Sequence, residues 1–259
     1  MKRVLAAAVL LVLALTSCQQ PPAYESPSSL ATTPTTTSAR TSVPPPVPAA
    51  VTIEASFSDT FNRADTGRGL GEGWDMRGPG ADAFSIPPPA TDGFIKDGSF
   101  TYAGTSVVSA VRLLRGTAQR VGTAGRWRRI GRGTETTLAM AITANDRIVT
   151  DMVHFAANRS VWDLTVRRGN GAFEPVASGR FTPLLEMDRE YQFEFEATDN
   201  TITVKVPGAE VTKNVLTAGL LGDRAFWQER PTRSPAGNVF DFDTVWAVEA
   251  GQPVAAVQK

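Results

Sequence analysis

The chain has 259 residues, with 26 basic and 26 acidic side chains, one histidine and one cysteine, for a formal net charge of zero. A neutral balance gives no electrostatic footprint for a nucleic-acid partner. A single cysteine excludes an intrachain disulfide, and one cysteine with one histidine leaves almost no room for a nitrogen-and-sulfur zinc site.

Lys2 and Arg3 give the start of the chain a positive character, and Val4 to Leu15 follow as a nearly unbroken apolar run. That run is about a dozen residues, shorter than the roughly 20 that a helix needs to cross a bilayer. It ends at Leu15-Thr16-Ser17-Cys18, which resembles the bacterial lipobox. The resemblance implies that residues 1–17 are a signal peptide and that Cys18 carries a thioether-linked diacylglycerol. Further acylation, of the palmitate kind, would complete the anchor, since two or more acyl chains hold a protein stably where one is marginal. The expected location is therefore the outer face of the bacterial membrane or the cell envelope, with the membrane as a partner through Cys18.

Residues 18–50 are a different material. Pro, Ser and Thr make up more than half of Gln19 to Ala50, and Glu25 and Arg40 are its only charges. Such a stretch cannot bury enough apolar surface to offset its ordering entropy, and Pro44-Pro45-Pro46 favours an extended chain. It reads as a tether. Residues 51–250 then have the size of one large domain, and residues 251–259 read as a flexible tail.

Within the domain, period-two alternation dominates. Tyr191, Phe193, Phe195 and Ala197 alternate with Gln192, Glu194 and Glu196, and after Thr198-Asp199-Asn200 come Ile202, Val204 and Val206. Turn residues between two such runs predict a hairpin. Leu138, Met140 and Ile142 form another strand, as do Trp162, Leu164 and Val166. Near the end, Phe240, Phe242, Trp246 and Val248 share one parity. Many short strands at regular spacing predict an all-β sandwich or jelly roll.

Two stretches make this more specific. Phe57-Ser58-Asp59-Thr60-Phe61-Asn62-Arg63-Ala64-Asp65, with Leu70-Gly71 and Trp74 beyond it, resembles the opening of concanavalin A-like (laminin-G-like) jelly rolls. Asn238 to Trp246 resembles their closing strand, and Tyr191 to Gly208 their hairpin of two long strands. The resemblance implies an antiparallel jelly-roll β-sandwich. That superfamily hosts sugar binding, glycan cleavage and adhesion, so the fold leaves the function open.

Candidate site residues divide by chemistry. Glu186-Met187-Asp188-Arg189-Glu190 is similar to the Glu-x-Asp-x-Glu strand of laminarinase-like hydrolases, whose alternate residues point into a cleft. That resemblance would make Glu186 the nucleophile, Asp188 its helper and Glu190 the acid. Against it, Arg189 occupies a position that should pack behind the strand, and the run precedes the alternation that starts at Tyr191. His154, on a stretch apolar on both parities, reads as a packed residue. Asp59, Asp241 and Asp243 could bind a structural Ca2+ joining first and last strands, or Asp59 could be a turn former. From Arg112 to Arg132 there are seven arginines and no acid. Trp127 beside Arg126 and Arg129, and Trp227 before a polar loop, are candidates to stack and grip a glycan. Alternatively both tryptophans are core, and the arginines pair with the acidic strand ending at Glu196.

The sequence thus predicts a non-catalytic display domain that binds an envelope glycan, needing no cofactor beyond that Ca2+ and no nucleic acid. A laminarinase-like hydrolase working through Glu186 and Glu190 is the alternative, and a structural or protein-adhesion module a further one.

Overall fold

A computed structural model describes residues 52–78, 93–103, 107–129, 135–144, 150–232 and 238–257. The expected signal peptide, Cys18 and the expected tether lie outside the described residues. Among the described residues every regular element is a strand. In chain order these are β1 (Glu54–Ala55), β2 (Phe57–Asp59), β3 (Trp74–Arg77), β4 (Gly93–Lys96), β5 (Ser99–Tyr102), β6 (Val108–Leu113), β7 (Ala118–Arg129), β8 (Glu135–Thr143) and β9 (Met152–Ala157). They continue as β10 (Val161–Arg167), β11 (Glu174–Arg180), β12 (Tyr191–Ala197), β13 (Thr201–Val206), β14 (Ala209–Asn214), β15 (Arg224–Thr232), β16 (Asn238–Glu249) and β17 (Ala255–Ala256).

Two large antiparallel sheets and a two-stranded β1–β17 ribbon result. One runs β11-β10-β9-β8-β15-β6-β3, and the other β14-β13-β12-β7-β16-β5-β4 with β2 also on β16. We call them the β9 sheet and the β16 sheet. Their inner faces share one core, in which Leu138, Met140, Phe155 and Leu164 meet Phe193, Phe195, Val204 and Phe240. The predicted β12–β13 hairpin is present, with Phe195 opposite Val204 and Ala197 opposite Ile202.

β16 and β7 are the longest strands and pair over most of their length. The register shifts between Phe242 and Thr244. One extra residue reverses the parity of the strand beyond it. Phe240 and Phe242 point inward before the bulge, and Val245 and Ala247 after it. Trp246, which the sequence places on the same face as Phe240, is turned to the outer face. There it packs with Ala55 and Ala124, against Ile53 and Val257. Its Nε1 donates to Glu194 at 3.0 Å. A Cβ on Gly122 would come within 2.3 Å of that indole, so only glycine fits beneath it.

Residues 251–259 are not a free tail throughout. Ala255 and Ala256 pair with Ala55 and Glu54, and Val257 N donates to Ile53 O at 2.7 Å. The reason is apolar: Ile53 and Val257 cover the Trp246 ring that the bulge exposes.

Trp127 and Trp227 are fully buried, which corrects their assignment as glycan platforms. Trp127 lies edge-on to Phe240 and Phe193, at centroid distances of 4.7 and 5.7 Å. Trp227 meets Trp74 at 5.6 Å and donates from Nε1 to Gly122 O at 3.0 Å across the core. Replacing Trp227 with alanine leaves a large cavity and an unpaired carbonyl. The expected loss is about 3–5 kcal/mol, read as a lowered urea midpoint; a midpoint unchanged from wild type would contradict this packing.

Candidate functional site

The Glu186–Glu190 run is not on a strand. It forms the turn that leads into β12, with Asp188 at a positive φ of 58°. Asp188 N donates to Trp127 O at 2.8 Å, and Glu186 N donates to Tyr191 Oη at 2.7 Å. Glu186 pairs with Arg189 at 3.3 Å, both side chains being well exposed. The three carboxylates therefore do not project side by side from one strand, and the roles taken from the laminarinase pattern do not transfer as a set. Glu186 lines a hollow beside Trp162 and Pro183. Asp188 and Glu190 turn the other way, over the outer face of the β16 sheet.

Two adjoining depressions lie on that face, of about 230 and 210 Å3, and share Asp97, Ser99 and Arg126. The first also takes in Glu190 and Asp243, and the second Asp188, Asp241 and Arg128. The floor follows from strand parity. Arg126 and Arg128 alternate outward from β7, and Asp241 and Asp243 outward from β16 just ahead of the parity change. Since Arg126 opposes Asp241 and Arg128 opposes Val239, the ion pairs are diagonal. Arg128 Nε meets Asp241 Oδ2 at 2.5 Å, and Arg126 Nη2 meets Asp243 at 3.2 Å. Thr101 Oγ1 donates to Asp241 at 2.5 Å and Ser99 Oγ to Asp243 at 2.7 Å. The bond to Asp241 raises the Arg128 guanidinium above its usual value, against desolvation. The depression thus holds carboxylates fixed by cations and hydroxyls, open on one side to solvent.

Of the residues singled out from sequence, Arg126, Asp188, Glu190, Asp241 and Asp243 come together here. Arg129 lies on the opposite parity of β7 and is exposed, away from this floor. Asp59 is not a cation ligand: its Oδ1 accepts from Phe61 N at 2.8 Å, and Arg63 and Trp74 Nε1 satisfy both oxygens at 2.7–2.9 Å. These bonds hold its carboxyl below the usual range even though burial pushes the other way. Asp59 is the turn former. Among the described residues no group of three or more His, Cys, Asp or Glu is arranged to hold a metal. Arg126 and Arg128 pair with β16, and Arg120 lies 3.8 Å from Glu194 on β12. Sequence reading missed Arg128, Asp97, Ser99 and Thr101. The alternation Arg126, Arg128 against Asp241, Asp243 was the available signal, but it needs the register to be read.

The outer face of the β9 sheet offers different chemistry. β9 presents Met152, His154 and Ala156 there, and β10 presents Asp163 and Thr165, with Thr165 opposite His154 and Asp163 opposite Ala156. His154 is 5% exposed, and its Nδ1 has no partner. Burial, then the charge of Arg230, lowers its pKa to about 3, so the imidazole is neutral. Burial raises the Asp163 carboxyl, and Arg230 opposes it.

Inside the core, Glu229 is fully buried on β15. Neither oxygen has a well-formed hydrogen bond; the Thr136 hydroxyl and Phe240 N–H lie near it, and Phe240 N donates to Thr136 Oγ1 at 3.0 Å. Burial raises its carboxyl well above the ordinary 4.5. The native state therefore binds this proton more tightly than the unfolded chain does. The stability it confers is complete below about pH 4.5 and is lost as pH rises towards the native value. Glu229→Gln should remove that slope, so that urea midpoints of wild type and variant diverge on going from pH 5 to 8, the variant becoming the more stable. Parallel pH profiles would show that Glu229 is not held neutral.

No family model matches the chain, and no curated protein matches it in sequence. Solved structures do match its fold. The catalytic domain of an endo-1,3-beta-glucanase (laminarinase) from Thermotoga petrophila matches with a TM-score of 0.54 at 10% identity, covering 80% of this chain and 100% of that one. The laminarinase from Rhodothermus marinus gives 0.52 at 11%, covering 75% and 96%. A structure from work on the endo-acting O-glycanases with which human gut microbiota initiate mucin breakdown gives 0.53 at 13%, covering 76% and 100%. The fold is the laminarinase-type, concanavalin A-like jelly roll. At such identities the likeness carries the fold and not the activity. Even so, these neighbours are mostly glycan-cleaving enzymes, which overturns the expectation of a non-catalytic display module and favours the hydrolase alternative.

Proposed function

We propose that the domain is a glycoside hydrolase acting on a polysaccharide outside the cell. Glu190 and Asp243 are its carboxyl pair, and Arg126 is the group that holds the sugar. The observation that carries this reading is that these three side chains line one depression on the β16 sheet. Glycosidic cleavage needs one carboxyl group to protonate the leaving oxygen and a second to act as base or nucleophile. The jelly-roll neighbours with endoglucanase activity support the substrate class. The depression departs from the laminarinase pattern in taking its carboxylates from a turn and from β16, rather than from alternate positions of one strand.

The test uses the full chain carrying Cys18→Ser with laminarin, a mixed-linkage β-glucan and mucin O-glycans, reading new reducing ends. One of these is expected to be cut. Glu190→Gln and Asp243→Asn should each lower kcat by about 100-fold or more, the range for loss of a positioned acid or base, with urea midpoints little changed. Absence of cleavage in all three would overturn the reading. So would full activity in both variants together with loss in Asp163→Asn, which would move the chemistry to the β9 sheet.

The address is proposed on sequence grounds. Cys18 is lipidated, and the tether displays the domain at the envelope surface. Cys18→Ser should move the protein from the membrane fraction to the soluble fraction; a wild-type chain without an acyl group by mass spectrometry would refute the anchor.

A further inference from the structure

We propose that the end of the domain around Arg112 and Arg115 docks on an anionic phospholipid surface. β6 ends in Arg112-Leu113, and the connection to β7 continues Leu114-Arg115-Gly116. Leu114 turns into the core, and its N donates to Asp223 O at 2.8 Å. Leu113 is left 60% exposed between the two arginines. Arg112 is held rather than loose: its guanidinium lies 4.8 Å over the Phe57 ring. On its other side a Cβ at Gly73 would come within 1.9 Å of a guanidinium nitrogen. Among the described residues neither Arg112 nor Arg115 forms an ion pair.

The two arginines rim a depression of about 290 Å3. Its one carboxylate, Glu249, is buried and already served. Oε2 accepts from the backbone N–H groups of Arg115 and Gly116 at 2.6 and 2.7 Å, and Oε1 from Ser56 Oγ at 3.2 Å. The loop's own donors thus offset the acid, and the guanidinium groups remain for an outside anion. Pro253 closes the far wall, and Val254 beside it is 44% exposed. Exposed Leu113 and Val254 flanking unpaired arginines combine the two features of an interfacial site, an apolar contact for the acyl boundary and guanidinium groups for phosphodiester oxygens.

The occupant follows from where the chain outside the described residues ends. Ser56 and Phe57 line this depression, four residues after the described part begins. On the reading of Cys18 as a lipid anchor, on which this choice of occupant rests, the Pro/Ser/Thr-rich sequence before residue 52 links this domain to a membrane, and such linkage makes even weak docking effective.

The test uses the full chain with Cys18→Ser, which removes the lipid without touching this end. Flotation is measured with vesicles of phosphatidylcholine alone and with phosphatidylglycerol added. The phosphatidylglycerol vesicles are expected to bind at least tenfold more protein, and the preference should fall as salt screens the charges. Arg115→Gln with Leu113→Ser, both exposed and outside the core, should abolish the preference without shifting the urea midpoint. Equal binding to the two vesicle types would overturn the proposal, as would a preference that survives the double variant. Inorganic phosphate that binds the chain while vesicles do not would reveal an oxyanion site with no membrane role, and overturn it equally. None of these outcomes depends on glycan cleavage.

Discussion

The pairing of β16 with β7, and the bulge that interrupts it, governs most of what the domain presents to solvent. A strand of constant parity would bury Trp246 with Phe240 and leave its far half polar outside. The extra residue at Asp243 lets β16 keep an inward apolar face on both sides of the shift. It also divides the outer face of that sheet. Before the bulge the face is charged, with Asp241 and Asp243 locked diagonally to Arg128 and Arg126. After it the face is apolar, with Trp246 over Gly122 and under Ile53 and Val257.

That division also sets what Asp241 and Asp243 meet on the outer face. Asp241 is met by Arg128 and Thr101, and Asp243 by Arg126 and Ser99, rather than by apolar atoms, which is what a carboxylate at a partly buried position needs. Glu229 shows the opposite case a short way inside the sandwich, where burial outweighs the nearby Thr136 hydroxyl and Phe240 N–H and raises the carboxyl well above its ordinary value. The two environments lie on opposite sides of one sheet.

Local alternation was enough to recover the strands, the β12–β13 hairpin and the all-β class, because a half-buried strand writes its two faces into consecutive residues. It misled wherever tertiary context changed parity or covered both faces. Trp246 needed the bulge, and nothing local in Asp243-Thr244 announces one. Trp127 and Trp227 looked like exposed platforms because arginines or a polar loop flank them, yet inward parity on β7 and β15 buries both. His154 was read correctly as packed, since apolar residues at both parities signal a strand covered on both faces. The Glu186 run shows the limit of motif spacing: the carboxylates are two apart in sequence, but a turn rather than a strand carries them, so they diverge. The Arg126 depression joins residues from β5, β7, β16 and the turn before β12, and only the register of the folded sheet puts them together.

The short ribbon of β1 with β17 has a mechanical consequence. A pull on the chain at residue 52 acts first on two residue pairs and on the cover over Trp246, before it reaches β2 and the long β16 ladder. The ribbon is thus the first pairing that such a pull meets, ahead of the core strands and the Arg126 depression. Release of Ile53 and Val257 would uncover Trp246 to water, so its fluorescence would report the load.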